Sequence, residues 1–177
     1  MIFYTADLHI GHTNIMKLSN RPFKTVEDMN ETLVNNWNSV VMEDDDVYIL
    51  GDVFFKLNSH PEMYLKRMNG KKHLIVGNHD KQYLEKEMFV NQFATINDYL
   101  VINDENRKVV LFHYPILEWD GYFRGYYHVY GHIHNNDNNL ANQIMKKVPN
   151  SFNAGVDVND FIPQTLTQLI KRNQVVY

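Results

Sequence analysis

Short apolar runs along the chain end repeatedly in polar side chains of the kinds that bind metals or form turns. The run from 73 to 76 ends in Gly77-Asn78-His79-Asp80, and a pattern typical of a helix follows from Lys81. A strand that stops at glycine before a helix presents polar groups at the carboxyl edge of a sheet, where open α/β folds build their sites. Because Asn, His and Asp also form ordinary turns, this segment alone is a weak signal.

Repetition of this pattern strengthens the signal. Four more apolar or β-prone runs end in residues with carboxylate or imidazole side chains. These are Ile2 to Thr5 before Asp7 and His9, Val47 to Leu50 before Gly51 and Asp52, Val109 to Phe112 before His113, and His128 to Tyr130 before Gly131, His132 and His134. Chance would scatter such residues, whereas this sequence collects them at predicted strand ends. The pattern therefore predicts a metal site built from several strand ends.

Helical patterns alternate with these runs. Thr25 begins a longer helix, with Asp28 three positions on as a variant of the capping box. Further helices are expected over 62 to 68, with Pro61 in its first turn, over 82 to 89, and from Pro163 onwards. A helix stripe at four-residue spacing is predicted to pack in the core rather than to bind a ligand; its members are Met29, Leu33, Trp37 and Val41.

The late part of the chain predicts a hairpin. Strands over 95 to 102 and 108 to 112 flank the polar turn at 104 to 107. Alternating strands and helices followed by a hairpin favour an α/β fold with a mixed sheet. Asn153 and Asp157 belong to a closing strand and its exit. Either could reach the site from behind, but such residues more often cap a strand end, and we do not include them among the predicted site residues.

Composition limits the class of protein. The 177 residues are 44% hydrophobic and 21% charged, which predicts one ordinary globular domain spanning 1–177. The chain has no cysteine, so disulfides and thiolate metal sites are excluded. No apolar stretch is long enough for a membrane span and no signal-peptide pattern is present, so we expect a cytoplasmic protein with no membrane contact. The formal charge of −4 makes long nucleic acid a less favoured partner.

The ordered blocks DxH, GD, GNHD, a lone histidine after a strand, and GHxH resemble the calcineurin-like metallophosphoesterase family. All five blocks occur in the family's order between Asp7 and His134, and no motif position is substituted. The resemblance implies a small, single-domain member of phosphodiesterase type. It also implies the family's fold, two stacked mixed β-sheets flanked by helices on both outer faces.

The resemblance further implies two divalent metal ions. Manganese is the expected metal, and iron, zinc, cobalt and nickel also suit these oxygen and imidazole ligands. Asp52 would bridge the two ions. By resemblance, Asp7, His9, Asp52 and His134 would hold one ion, and Asp52, Asn78, His113 and His132 the other.

The same resemblance assigns catalytic roles. A hydroxide bridging the ions would attack phosphorus, and His79, which is not a ligand in the family, would protonate the departing alkoxide. Asp80 would orient His79 and raise its pKa. The alternative for Asp80 is a helix cap ahead of Lys81.

Two divalent ions held by only two carboxylates leave excess positive charge, which favours an anionic substrate. We expect a small phosphodiester, nucleotide-like or a cyclic nucleotide, with weaker candidate contacts from His12, Arg21 and Arg124. The aromatic segment 118–127 either stacks on a base beside Arg124 or closes the core beneath a loop.

Two other functions stay open. One is a nuclease of the same family, and the other is a catalytically silent scaffold that binds protein. The intact ligand series and His79 argue against the scaffold, and no HxHxDH block indicates a metallo-β-lactamase-like enzyme. The oligomeric state, monomer or homodimer, is open.

Overall fold

Two four-stranded sheets form the centre of the computed structural model, which describes residues 1–56, 60 and 62–173. The first sheet contains β1 (Ile2–Thr5), β2 (Asp46–Ile49), β3 (Lys71–Ile75) and β4 (Thr95–Asn97). The second sheet contains β5 (Tyr99–Asp104), β6 (Arg107–Phe112), β7 (Tyr127–Tyr130) and β8 (Ser151–Asn153). The predicted α/β class with two sheets is confirmed.

Strand direction differs between the sheets. In the first sheet all neighbouring strands of the order β1-β2-β3-β4 are parallel. In the second, β5 and β6 are antiparallel, and β7 and β8 continue parallel to β6, so this sheet is mixed as predicted. The predicted strand over 95–102 is two strands, because the chain leaves the first sheet after Asn97 and enters the second at Tyr99. The hairpin therefore adds an antiparallel strand to the second sheet only.

The helices are mostly short. They are α1 (Ile15–Leu18), α2 (Val26–Val40), α3 (Glu62–Arg67), α4 (Glu87–Val90), α5 (Leu140–Met145) and α6 (Leu166–Asn173). None of the helices in this described part of the chain is long and apolar enough to cross a membrane. Pro61, expected in the first turn of α3, lies outside the described residues.

Two predicted helix boundaries are wrong. The expected helix over 82–89 is a 3-10 turn at Lys81–Tyr83 followed by α4, since the backbone of Lys86 is extended between them. The last helix begins at Leu166 and not at Pro163. Thr165 and Gln168 form a reciprocal capping box at this start, with Gln168 Oε1 accepting from Thr165 N at 2.8 Å and Thr165 Oγ1 from Gln168 N at 3.4 Å.

Helix α2 covers the outer face of the first sheet as its sequence pattern predicts. Thr25 Oγ1 accepts a hydrogen bond from Asp28 N at 3.0 Å, which confirms the predicted cap. The stripe Met29, Leu33, Trp37 and Val41 is buried against side chains of β1, β2 and β3 such as Phe3, Ile49 and Leu74.

A second core lies between the sheets. Tyr4 and Ile75 from the first sheet pack with Val109, Val129 and other side chains of the second, and α6 closes this layer with two leucines, Leu166 and Leu169. On the outer face of the second sheet, α5 packs through Met145 against Tyr130 and Ile133. The layers hold the strands in fixed register, so the loops at their carboxyl ends are fixed as well.

The Thr25 cap gives a test of this helix assignment. Thr25→Ala removes the acceptor for Asp28 N, and we expect the free energy of unfolding to fall by about 1 kcal/mol. Thr25→Ser keeps a hydroxyl at the same position and should stay close to the unsubstituted protein. Urea unfolding of both variants measures the difference. Equal losses for serine and alanine would contradict a cap.

His128 makes stability depend on pH. It is fully buried in β7 under Trp119, with ring centroids 5.1 Å apart, and its Nδ1 bonds to the carbonyl of Val110 at 3.2 Å. Burial lowers the pKa of His128 to about 4, whereas the ordinary value is about 6.5. Between these values the unfolded chain takes up a proton that the folded chain does not. The free energy of unfolding should therefore fall with decreasing pH, by up to about 3 kcal/mol from this group.

The His128→Asn variant isolates that contribution. An asparagine amide can still donate to Val110 and does not titrate, so the variant should lose less stability across the same pH interval, whatever its stability at neutral pH. Urea unfolding in the presence of a chelator measures both slopes. Parallel slopes for the two proteins would show that His128 is not the titrating group.

Candidate metal centre

Backbone hydrogen bonds continue the parallel ladder past the ends of the strands and so position the predicted ligands. Asp7 N donates to Gly51 O and His9 N to Asp52 O, both at 3.0 Å, which aligns the loop after β1 with the loop after β2. In the second sheet Gly131 N donates to His113 O at 3.0 Å. The first sheet and the closing segment meet where Ala6 bridges Gly155. All the motif blocks consequently reach one edge of the sandwich.

Six predicted ligands form two groups at this edge. Within each group the potential ligand atoms lie within 4.8 Å of one another. The first group is Asp7, His9 and His134, and the second is Asp52, His113 and His132. Asn78 adjoins the second group, with its Oδ1 3.1 Å from His113 Nε2.

One carboxylate oxygen faces both groups. Asp52 Oδ2 lies 3.7 Å from His9 Nε2 of the first group and 3.7 Å from His113 Nε2 of the second. The other oxygen, Oδ1, accepts a hydrogen bond from His79 N at 2.9 Å and is thereby held away from the two ligand groups. This is the placement that a carboxylate shared by two ions requires.

Second partners orient two of the imidazoles. His113 Nδ1 bonds to the carbonyl oxygen of Leu50 at 2.7 Å, and His134 Nδ1 bonds to Asp157 Oδ2 at 2.7 Å. A carbonyl and a carboxylate accept, so Nδ1 must donate in both rings. In the neutral rings Nε2 is then unprotonated and directed at the centre, as a metal-binding histidine needs.

The donor atoms suit a cation. Asp7 Oδ1 and both ring nitrogens of His9 are buried and have no hydrogen-bond partner among the described residues. Burial raises the pKa of Asp7 to about 6, and burial, with the nearby His134 and Arg21, lowers the pKa of His9 well below its ordinary value. A buried carboxylate oxygen without a hydrogen-bond partner, beside the neutral imidazole of His9, fits a divalent metal ion.

Ligand positions share an unusual backbone conformation. Five have positive φ, namely Asp7 (57°), His9 (50°), Asp52 (57°), His132 (74°) and His134 (48°). Left-handed backbone is uncommon outside glycine and costs on the order of 1 kcal/mol or more at each site. Gly77 allows a close approach of a different kind, since a Cβ there would lie 2.3 Å from Asp52 Oδ1. The glycine of GNHD is therefore required by the carboxylate of the GD block.

His79 lies at the open side of the centre. Its Nε2 is 3.9 Å from Asp52 Oδ2, and about a third of its side chain, 35%, is exposed. Its ring lies edge-on to those of His9, at 5.4 Å, and Phe55, at 4.8 Å. It is thus close to the ligands and still accessible to a substrate.

Asp80 has neither of the roles expected for it. It is fully buried, and its carboxylate accepts from three backbone N–H groups, those of Asp52 at 2.8 Å, Val53 at 2.9 Å and Gly77 at 2.9 Å. It makes no side-chain cap bond to the following turn. Both of its oxygens are therefore directed at the GD and GNHD turns and do not orient His79.

The three weaker substrate candidates lie in different environments. His12 is half-buried and stacks on Phe55, with ring centroids 3.7 Å apart, beside the first group. Arg21 does not face a substrate, because its side chain is fully buried in an ion pair with Asp157. Arg124 is exposed and pairs with Asp120 within its own segment at 2.9 Å.

Several residues at the centre were missed or misplaced by the sequence reasoning. Asp157, which was not included among the predicted site residues, contacts His134, and the signal was its position after a strand, the same pattern that marks the ligands. Tyr114 packs edge-on to His132 at 4.6 Å and to His113 at 4.9 Å. In the segment 118–127, Trp119 is buried, with 6% exposure, as the core-closing alternative predicts, whereas Phe123 is 85% exposed. Base stacking beside Arg124 stays a prediction.

Asp80 can be tested apart from any metal. Asp80→Asn replaces one of the two accepting oxygens by an amide that faces backbone N–H groups, and we expect the free energy of unfolding to fall by about 3 kcal/mol. Asp44→Asn, on the exposed acidic turn, is the matched control and should change little. Urea unfolding in chelator compares the three proteins. An Asp80→Asn variant as stable as the control would contradict this role.

Comparison with known proteins places the chain among proteins of similar sequence and shape. No protein-family model matches it. Protein MJ1445 of Methanocaldococcus jannaschii, described as uncharacterized, is 39% identical over 127 residues, 68% of this chain and 65% of that protein. The Gene 66 protein of Mycobacterium phage L5 is 42% identical over 81 residues, 44% of this chain and 39% of that protein. The chain matches less than two thirds of the length of either relative.

A solved structure matches over nearly the whole length. The protein of unknown function AQ665 from Aquifex aeolicus has a TM-score of 0.77 and 27% identity, covering 97% of this chain and 98% of that one. The two chains therefore share this fold over almost their whole length. Five motif blocks thus meet at one edge of a two-sheet α/β sandwich, and six of the residues that resemble the calcineurin-like metallophosphoesterase ligand series lie together where the strands end.

Proposed function

We propose that the protein is a binuclear metal-dependent phosphoesterase that hydrolyses small phosphodiesters, with nucleotide-like compounds as the substrate class. The observation that carries the proposal is the pair of ligand groups that share Asp52, with His79 accessible beside them. Asp7, His9, Asp52 and His134 would hold one divalent ion, and Asp52, Asn78, His113 and His132 the other. Manganese is the proposed metal, because this mixture of carboxylate, amide and imidazole ligands suits it.

When bound, such ions neutralise phosphoryl charge and lower the pKa of water. The chain's own contribution is to hold the ligands rigidly and to supply a proton donor. His79 N is fixed on Asp52 Oδ1, so its ring stays within reach of the shared carboxylate while it faces solvent. In the proposed reaction His79 gives a proton to the departing alkoxide oxygen.

The charges around the centre favour a diester over a monoester. A phosphomonoester carries two negative charges at neutral pH and benefits from an arginine that forms paired hydrogen bonds with it. Arg21 is buried against Asp157 and so is not presented to a phosphoryl group, and Arg124 is already paired with Asp120. A diester carries one negative charge and needs less compensation beyond the ions.

The first test compares ester classes. Metal-stripped protein resupplied with Mn²⁺ should hydrolyse bis-p-nitrophenyl phosphate faster than p-nitrophenyl phosphate. Asp52→Asn should abolish turnover, because both ligand groups lose the shared carboxylate. His73→Asn serves as a control, since His73 on β3 pairs with Asp46 on β2 and contacts no predicted ligand. Faster monoester cleavage would contradict the diester preference. Folded protein that turns over neither ester with any divalent metal would support the scaffold instead.

The proton-donor role of His79 gives a sharper prediction. His79→Asn should slow hydrolysis of a cyclic nucleotide by about 100-fold or more, because a poor alkoxide leaving group needs the proton. The same variant should affect bis-p-nitrophenyl phosphate much less, since nitrophenolate departs without protonation. Measurement of kcat for both substrates tests this difference. An equal loss on both would assign His79 to substrate binding or metal retention.

A further inference from the structure

A buried ion pair lies directly behind the first ligand group. Arg21 Nε donates to Asp157 Oδ1 at 2.7 Å and its Nη2 donates to Oδ2 at 3.2 Å, and both side chains are 0% exposed. Asp157 Oδ2 also accepts from His134 Nδ1 at 2.7 Å. A guanidinium, a carboxylate and a ligand imidazole therefore form one continuous chain of hydrogen bonds.

The same guanidinium also holds the loop that carries the other two members of the group. Arg21 Nη2 donates to Asp7 O at 2.7 Å and Nη1 donates to Leu8 O at 2.8 Å. One side chain thus joins the DxH loop after β1 to the segment that carries Asp157, and through Asp157 to the GHxH loop. These segments are far apart in sequence, since Arg21 and Asp157 are 136 positions apart.

Because the side chains of Arg21 and Asp157 are both fully buried, each of their charged atoms needs a hydrogen-bond partner. A buried ion pair is stable only when its remaining donors and acceptors are satisfied, and removing one partner leaves an uncompensated charge. Here the two oxygens of Asp157 accept hydrogen bonds from Arg21 and His134. Arg21 also donates to two backbone carbonyl oxygens. The arrangement has the form of a carboxylate–histidine pair behind a metal ligand, which sets the tautomer and direction of the ring.

We propose that Asp157 is a positioning residue that holds His134 with its proton on Nδ1 and its Nε2 directed at Asp7 and His9, and that Arg21 holds Asp157 in place for this role. The second ligand group is built differently, because His113 Nδ1 bonds to the neutral carbonyl of Leu50. Loss of Asp157 should therefore weaken one of the two metal positions and spare the other. This inference rests on the metal-binding part of the proposed function.

A purely structural pair would behave differently. If Arg21 and Asp157 only joined three segments, their removal would lower stability and leave the metal affinity of the folded protein unchanged. Metal affinity and the protonation of the His134 ring distinguish the two roles, since neither depends on how stable the fold is, provided that the protein stays folded.

The test uses the full chain after metal stripping. Calorimetric titration with Mn²⁺ alone measures both affinities, and long-range ¹H–¹⁵N spectra of the metal-free protein report which nitrogen of His134 is protonated. The variants are Asp157→Asn and the double change Arg21→Met with Asp157→Leu. The double variant removes both buried charges together, so it should fold even where Asp157→Asn does not. Asp160→Asn, which breaks the exposed pair with Arg172, is the matched control.

We expect both test variants to bind one Mn²⁺ about 10- to 100-fold more weakly and the other with unchanged affinity. We also expect the double variant to lose the single Nδ1-protonated form of His134, and the control to behave as the unsubstituted protein. Unchanged affinities, or the same tautomer without Asp157, would overturn the inference. Failure of the unsubstituted protein to bind Mn²⁺ would overturn the proposed function instead, and the tautomer would still decide the role of Asp157.

Discussion

Two buried carboxylates at the carboxyl ends of parallel strands set the constraint on which the rest of the structure depends. Asp7 and Asp52 are 0% and 2% exposed, and such burial is costly unless each oxygen finds a donor or a cation. One oxygen of each accepts a backbone N–H from another motif block, that of His132 for Asp7 and that of His79 for Asp52. The other oxygen of each is left to the centre, where a bound cation would stabilise it.

The backbone around these carboxylates is held by the layers beneath it. Five ligand positions have left-handed backbone, which an isolated loop would not adopt as a set. The ladder bonds between the loop after β1 and the loop after β2 supply part of the compensation, and the three bonds to Asp80 supply another part. The sheets therefore stabilise a strained conformation that directs the candidate ligand side chains at one centre, and strain of this kind clusters at functional sites.

Local sequence pattern sufficed to place the candidate ligands at strand ends and to predict the largest helix. The ligand blocks follow apolar runs directly, and the α2 stripe repeats every four residues, so both could be predicted from neighbours in sequence. Arg21 and Asp157 could not be paired in this way, since they are 136 positions apart and either could equally have been a surface charge. Asp80 was misassigned for a related reason: its partners are backbone N–H groups, which leave no mark in a sequence. The predicted helix over 82–89 is interrupted at Lys86, whose backbone is extended.

The two sides of the centre differ in chemistry, and this difference bears on selectivity. Behind the ligands, charged and carbonyl groups fix the rings, as Asp157 does for His134 and Leu50 does for His113. At the open side lie half-buried rings instead, Phe55 stacked with His12 near the first group and Tyr114 near the second. Under the proposed function, bound ions would attract any phosphate ester, so they would not choose between substrates. We infer that selection among the proposed phosphodiester substrates would depend on how their organic groups fit against these rings.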